Sequence, residues 1–96
     1  MATVTDNTTL HRFELIEQGE TAFLDYAYAK GQLVLVHAEV PQVLEGHGVG
    51  GTLVRSVLTE ARTRGLQVVP QCSFVEEYIH RHPEFADLVA ASSEQL

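Results

Sequence analysis

Eight residues in the middle of the chain, Glu45-Gly46-His47-Gly48-Val49-Gly50-Gly51-Thr52, have the composition of an anion seat. Glycines let backbone amides approach an anion with no Cβ in the way. A helix beginning inside the stretch would aim its unpaired N–H groups and the positive end of its dipole at the same point. The ligand suited to such a cradle is a phosphorylated cofactor. A Walker-type loop needs a lysine before its closing Ser or Thr, and Gly50-Gly51-Thr52 supplies none. Gly46, Gly48 and Gly51 fit G-x-G-x-x-G formally, but the next predicted strand ends in Val69-Pro70-Gln71 without the carboxylate that would hold a ribose. A dinucleotide is therefore disfavoured. His80 and His82 stand two apart and diverge on a helix, and no other histidine, cysteine or carboxylate group has ligand spacing, so no metal site is expected.

The elements that must position this loop are legible on either side of it. Val49, Leu53, Val54, Val57, Leu58 and Ala61 recur at helical spacing, with polar residues on the opposite face. Arg62 and Arg64 fall in the last turn and Gly65 at the left-handed cap position. Gln32 to Val40 reads as the strand before the helix and Leu66 to Pro70 as the strand after it, so strand, glycine turn, helix and strand form a βαβ crossover. Upstream, His11 to Glu17 and the aromatic-rich Thr21 to Ala29 read as strands, separated by turn signals at Gln18-Gly19 and Lys30-Gly31. Downstream, Phe74 to Ile79 predicts a short helix, and His82-Pro83-Glu84 opens another with Phe85, Leu88 and Val89 on its apolar face. The expected order is β-β-β-α-β-α-α, an α/β (α+β) mixed sheet. It is expected as one domain over 10–92, with an aperiodic arm at 1–9 and a polar tail at 93–96.

At 96 residues the chain has room for one core. No apolar run approaches a membrane span and the first ten residues lack the pattern of a secretory signal. One cysteine, Cys72, excludes an internal disulfide and suits a reducing compartment, so a cytoplasmic protein is expected. The net charge of −7 argues against nucleic acid and suits solubility, a cationic small molecule or a basic partner surface. Nothing in the sequence bears on oligomeric state.

The order of elements, together with Glu45-Gly46-His47-Gly48-Val49-Gly50 at the glycine-turn signature, resembles the GNAT superfamily of acetyl-coenzyme A-dependent N-acetyltransferases. His37-Ala38-Glu39-Val40 through Gly51, then Ala61-Arg62, Pro70 to Val75, Tyr78-Ile79 and Arg81 to Glu84 resemble a small single-domain branch often labelled YjdJ-like. The resemblance runs from about residue 11 to about residue 90 and implies that acetyl-coenzyme A (or coenzyme A) is the cofactor. It implies that the pyrophosphate lies on Gly46, His47, Gly48, Val49, Gly50, Gly51 and Thr52, and that the pantetheine arm takes backbone hydrogen bonds near Ala38 and Val40. It also implies an acceptor amine on a small molecule or an exposed protein residue. The chain departs from the pattern in three places. Glu45 stands where glutamine or arginine is usual, Val34 stands where some members carry a carboxylate, and the helices that usually follow the first strand and the closing C-terminal strands have no room. The acceptor side should therefore be open.

Acetyl transfer needs a deprotonated amine, a polarised carbonyl and a proton for the departing thiolate. By the resemblance, Tyr78 is the phenol facing the cofactor sulfur and a candidate general acid; from its own surroundings it is equally a core tyrosine. Cys72, just after the last strand, is either a small buried apolar residue or a nucleophile that carries the acetyl group. Glu39 and His37 share one face of the third strand and are candidate bases or ordinary strand-end residues. An alternative to catalysis is a module that binds coenzyme A without turnover, self-acylated at Cys72 in one version.

Overall fold

The structure, a computed structural model, describes residues 3–90. Five strands form one sheet in the order β1-β2-β3-β4-β5: β1 (Val4–Asn7), β2 (Arg12–Glu17), β3 (Glu20–Ala29), β4 (Gln32–Glu39) and β5 (Gln67–Pro70). The first four run antiparallel as a meander, and β5 pairs with β4 in parallel. That last pairing requires the crossover helix α1 (Val49–Arg64), and α2 (Ser73–Arg81) follows β5. Short 3-10 turns stand at Gln42–Leu44 and Pro83–Leu88. The β2–β3 and β3–β4 hairpins close through Gln18-Gly19 and Lys30-Gly31, both residues of each pair having positive φ, which matches the turn to the twist of its strands.

The mixed α+β architecture and the βαβ crossover stand as expected, with two corrections. Within the expected arm at 1–9, Val4–Asn7 forms a fourth antiparallel strand. It is held by its pairing with β2 and by the buried Tyr26, whose hydroxyl donates to Asp6 Oδ1 at 2.6 Å. The expected last helix is a six-residue 3-10 turn that ends as Val89 becomes extended and bridges to Val68 beside β5. The expected tail at 93–96 lies outside the described residues.

All six apolar positions read on α1 are buried, and they pack with Leu15, Leu24, Leu33, Leu35 and Val68 of the sheet in one core. Val75 and Ile79 of α2 and Phe85 and Leu88 of the final turn join the same cluster. Arg62 ties that turn to α1, pairing Nη1 and Nη2 with the Asp87 carboxylate and donating to the Glu84 carbonyl. Among the described residues no helix is long and apolar enough to cross a membrane.

Candidate functional site

The sheet divides beside the start of α1. β4 and β5 pair only over Gln32–Leu35 and Gln67–Pro70; the Leu35 carbonyl then accepts from the amides of both Gln71 and Cys72, at 3.0 and 3.1 Å. Beyond this point the chain after β5 turns into α2 while β4 continues to Glu39, paired with β3 alone. A bulge lies at the same place: Tyr26 faces Leu35 but Asp25 faces His37, so β4 holds one extra residue. An extra residue shifts which side chains face inward. Leu33 and Leu35 face the core, the exposed Val36 and His37 follow, and Ala38 and Val40 then pack against the core.

Ala38 and Val40 form one wall of a cavity of about 450 Å³ whose other walls are Leu44, Glu45, Gly46, Gly48, Val49, Gly50, Gly51 and Phe74. Its end is the N-terminus of α1. Gly48 is the N-cap, with φ of 75° and no side chain to cap the helix. The first helical bond runs from the Thr52 amide to the Gly48 carbonyl at 3.0 Å. The amides of Val49, Gly50 and Gly51 are thus the orphan donors that every helix start leaves, gathered at a cavity with the positive end of the dipole behind them. Gly48 suits glycine for its left-handed backbone, and at Gly50 a Cβ would stand 2.7 Å from Phe74 Cζ, so a side chain there must displace that ring.

The loop residues divide by what they can still offer. The Thr52 amide is spent in the helix, leaving its exposed hydroxyl, and the His47 amide is spent on the Leu44 carbonyl. The Glu45 amide is bonded to the Gln42 carbonyl, so Glu45 brings its exposed carboxylate to the cavity mouth without an amide to offset it. Cys72 occupies the fork itself, a half-buried free thiol at the N-cap of α2 with its amide held by Leu35.

A second cavity, about 350 Å³, shares Gly51 and Phe74 with the first and continues past Tyr78, Glu77, Arg81 and His82. The Tyr78 ring stacks on His82 at 4.0 Å, and its hydroxyl accepts from Arg55 Nη1 at 3.4 Å. That hydroxyl, with Glu84 beyond it, holds Arg55 protonated above even its ordinary high range. Tyr78 therefore stands beside the first turns of α1, across Phe74 from the β4 wall.

His37 and Glu39 are exposed and hydrogen-bonded to each other at 3.3 Å. Alternation puts them on the face of β4 opposite Ala38 and Val40, away from the cavity wall. Among the described residues no group of three or more His, Cys, Asp or Glu side chains is placed to hold a metal ion.

Two residues of this region gain no role from a reading of motifs. Phe74 is exposed yet forms a wall common to both cavities, and Arg55 lies on the polar face of α1. Phe74, Tyr78 and His82 repeat every fourth position along α2 and the turn after it, an aromatic row distinct from the Val75 and Ile79 core stripe. That row is the signal from which Phe74 can be found.

Fold and site together define an α+β domain with an uncapped helix start opening into a cavity at a split in its sheet. Residues 12–88, from the start of β2 to the end of the final 3-10 turn, match the GCN5-related N-acetyl-transferase family, and the chain belongs to that family.

Proposed function

We propose that this protein is an acetyl-coenzyme A-dependent N-acetyltransferase of minimal size, acting in the cytoplasm on an amine of a small molecule or an exposed amine of a protein. The observation that carries this reading is the uncapped start of α1 opening into a cavity walled by the free end of β4. The residues present fit the cofactor's chemistry. Three unspent amides and a helix dipole suit a pyrophosphate, and the part of β4 beyond the fork offers strand-edge hydrogen bonds near Ala38 and Val40 to an amide-containing arm. When bound, the cofactor supplies an activated acetyl thioester.

Of the candidate catalytic side chains, Cys72 has the position that suits transfer best, at the fork and at the start of α2, whose dipole favours negative charge developing beside it. As carrier, Cys72 would hand its acetyl group on in one step. The amine nitrogen bonds to the acetyl carbonyl carbon, the bond between that carbon and Cys72 Sγ breaks, and the amine's proton passes to the sulfur. The pair of His37 and Glu39 faces away from the cavity, which leaves direct transfer by a Tyr78 acid and a strand base the less supported route. Binding without turnover is the second reading, favoured by the Glu45 carboxylate at the cavity mouth.

Titration calorimetry with acetyl-coenzyme A and coenzyme A, followed by thiol release across a panel of amines and mass analysis of the Cys72 peptide, tests these readings. The expected results are saturable binding, loss of binding in Gly48→Glu, and retained binding but lost transfer in Cys72→Ala. Absence of binding to either ligand would remove the proposal. Binding with no thiol release would leave the module in its place.

A further inference from the structure

We infer that Arg55 and Arg81 recognise a second phosphate on the bound cofactor, the 3′-phosphate of its adenosine, beyond the pyrophosphate held at the start of α1. The inference rests on the coenzyme A reading above and adds to it the residues that tell the phosphorylated nucleotide from its dephosphorylated form.

Adjacency comes first. The cavity at the uncapped helix start and the cavity beside Tyr78 adjoin at Gly51 and the exposed Phe74, so a ligand anchored on the Gly50 and Gly51 amides has to pass only the Phe74 ring to reach along α2. Arg81 lines that path, and Arg55, one helical turn after Gly51, reaches its Tyr78 wall. The pantetheine arm must leave the pyrophosphate toward β4, so the nucleotide end is the part left to follow α2.

Charge is the second. The chain carries six Lys and Arg against thirteen Asp and Glu. Arg12 is bonded to Glu14, Arg62 holds Asp87 with both nitrogens, Arg64 is bonded to Glu60 and Tyr28, and Lys30 sits in the β3–β4 hairpin. Arg55 and Arg81 are the two cations beside the cleft, and their own partners are exchangeable. Arg55 meets Glu84 at 3.5 Å, and Arg81 meets Glu77 at 3.2 Å as an exposed pair one turn apart. Exposed pairs of this kind contribute little. A phosphate dianion offers a guanidinium more charge and two acceptors at once. His82, stacked on Tyr78 and bonded through Nδ1 to the Tyr78 carbonyl, adds a ring edge to the same wall.

Calorimetry of the whole protein with coenzyme A and with 3′-dephospho-coenzyme A, at low and at moderate salt, tests the inference. The native protein should prefer coenzyme A about tenfold at low salt. Arg55→Ala and Arg81→Ala should each narrow that preference by about threefold while leaving affinity for the dephosphorylated form unchanged. Arg62→Ala, on the same helix but tied to Asp87, should leave the preference intact. Equal affinity of the native protein for both nucleotides, or an undiminished preference in both cleft variants, would overturn the inference alone. Failure of both nucleotides to bind would remove it together with the cofactor reading beneath it.

Discussion

Gly50→Ala isolates the contact on which the cavity's shape depends. A methyl group there lies 2.7 Å from Phe74 Cζ and 3.2 Å from Cε2, with Val40 Cγ2 at an ordinary 3.4 Å. Restoring normal contact requires the ring edge to retreat by about 1 Å. Phe74 is 44% exposed, so the ring has solvent to move into, at about 0.5–1.5 kcal/mol for an off-rotamer or partly detached position. Against that, alanine gains about 0.5–1 kcal/mol over glycine in a helix. The two effects nearly cancel, and the single variant should unfold in urea within about 1 kcal/mol of the native protein. With Phe74→Ala as background the clash is gone and the same substitution should stabilise by about 0.5–1 kcal/mol. The double-mutant cycle then gives a coupling of about 1 kcal/mol between the two positions. Gly51→Ala is the control, because its Cβ would sit 3.6 Å from Tyr78 Cε2, an ordinary contact. Zero coupling between Gly50 and Phe74, or a loss of more than about 2 kcal/mol that persists without the ring, would refute the reasoning.

Glu45→Gln removes the carboxylate from the cavity mouth and should tighten coenzyme A binding by about threefold in calorimetry at low salt, an advantage that fades as salt rises. Unchanged affinity would show that this side chain does not face the bound phosphates. Tyr26 is pushed above its usual range, first by burial and then by its hydrogen bond to the Asp6 carboxylate. Because the folded state disfavours the phenolate, that stability is fully present below the unfolded pKa of about 10 and is lost as pH rises beyond it. Tyr26→Phe should cost about 1–2 kcal/mol at neutral pH and flatten the fall in urea midpoint above about pH 10. An unaltered alkaline slope in the variant would assign the effect to other groups.

How far the sequence shows this molecule depends on where each feature's cause lies. α1 is legible in full because its burial pattern is periodic and both ends carry glycines whose conformations the structure confirms. β1 is not, since Val4-Thr5-Asp6-Asn7 holds a single apolar residue. Its anchor is a hydrogen bond from Tyr26, twenty residues on. The glycine turn before α1 is equally plain, but its division into spent and unspent amides emerges only from the bonds made by Glu45, His47 and Thr52. The bulge in β4 leaves no mark in Leu35-Val36-His37-Ala38, yet it decides that Ala38 and Val40 rather than His37 and Glu39 wall the cavity. No motif gives Phe74 or Arg55 a role, and both gain their meaning from the packing of α2 beside α1.

The proposed function requires that the uncapped start of α1 and the free end of β4 receive coenzyme A together. The most direct test is a titration of the isotope-labelled protein with coenzyme A, followed through its backbone amide resonances. Saturable shifts should be largest at Val49, Gly50 and Gly51 and extend to Ala38, Val40 and Cys72, while the amides of Glu45 and Thr52, already bonded within the chain, move less. No saturable change, or changes centred on the exposed His37 and Glu39 face with the helix start untouched, would contradict it.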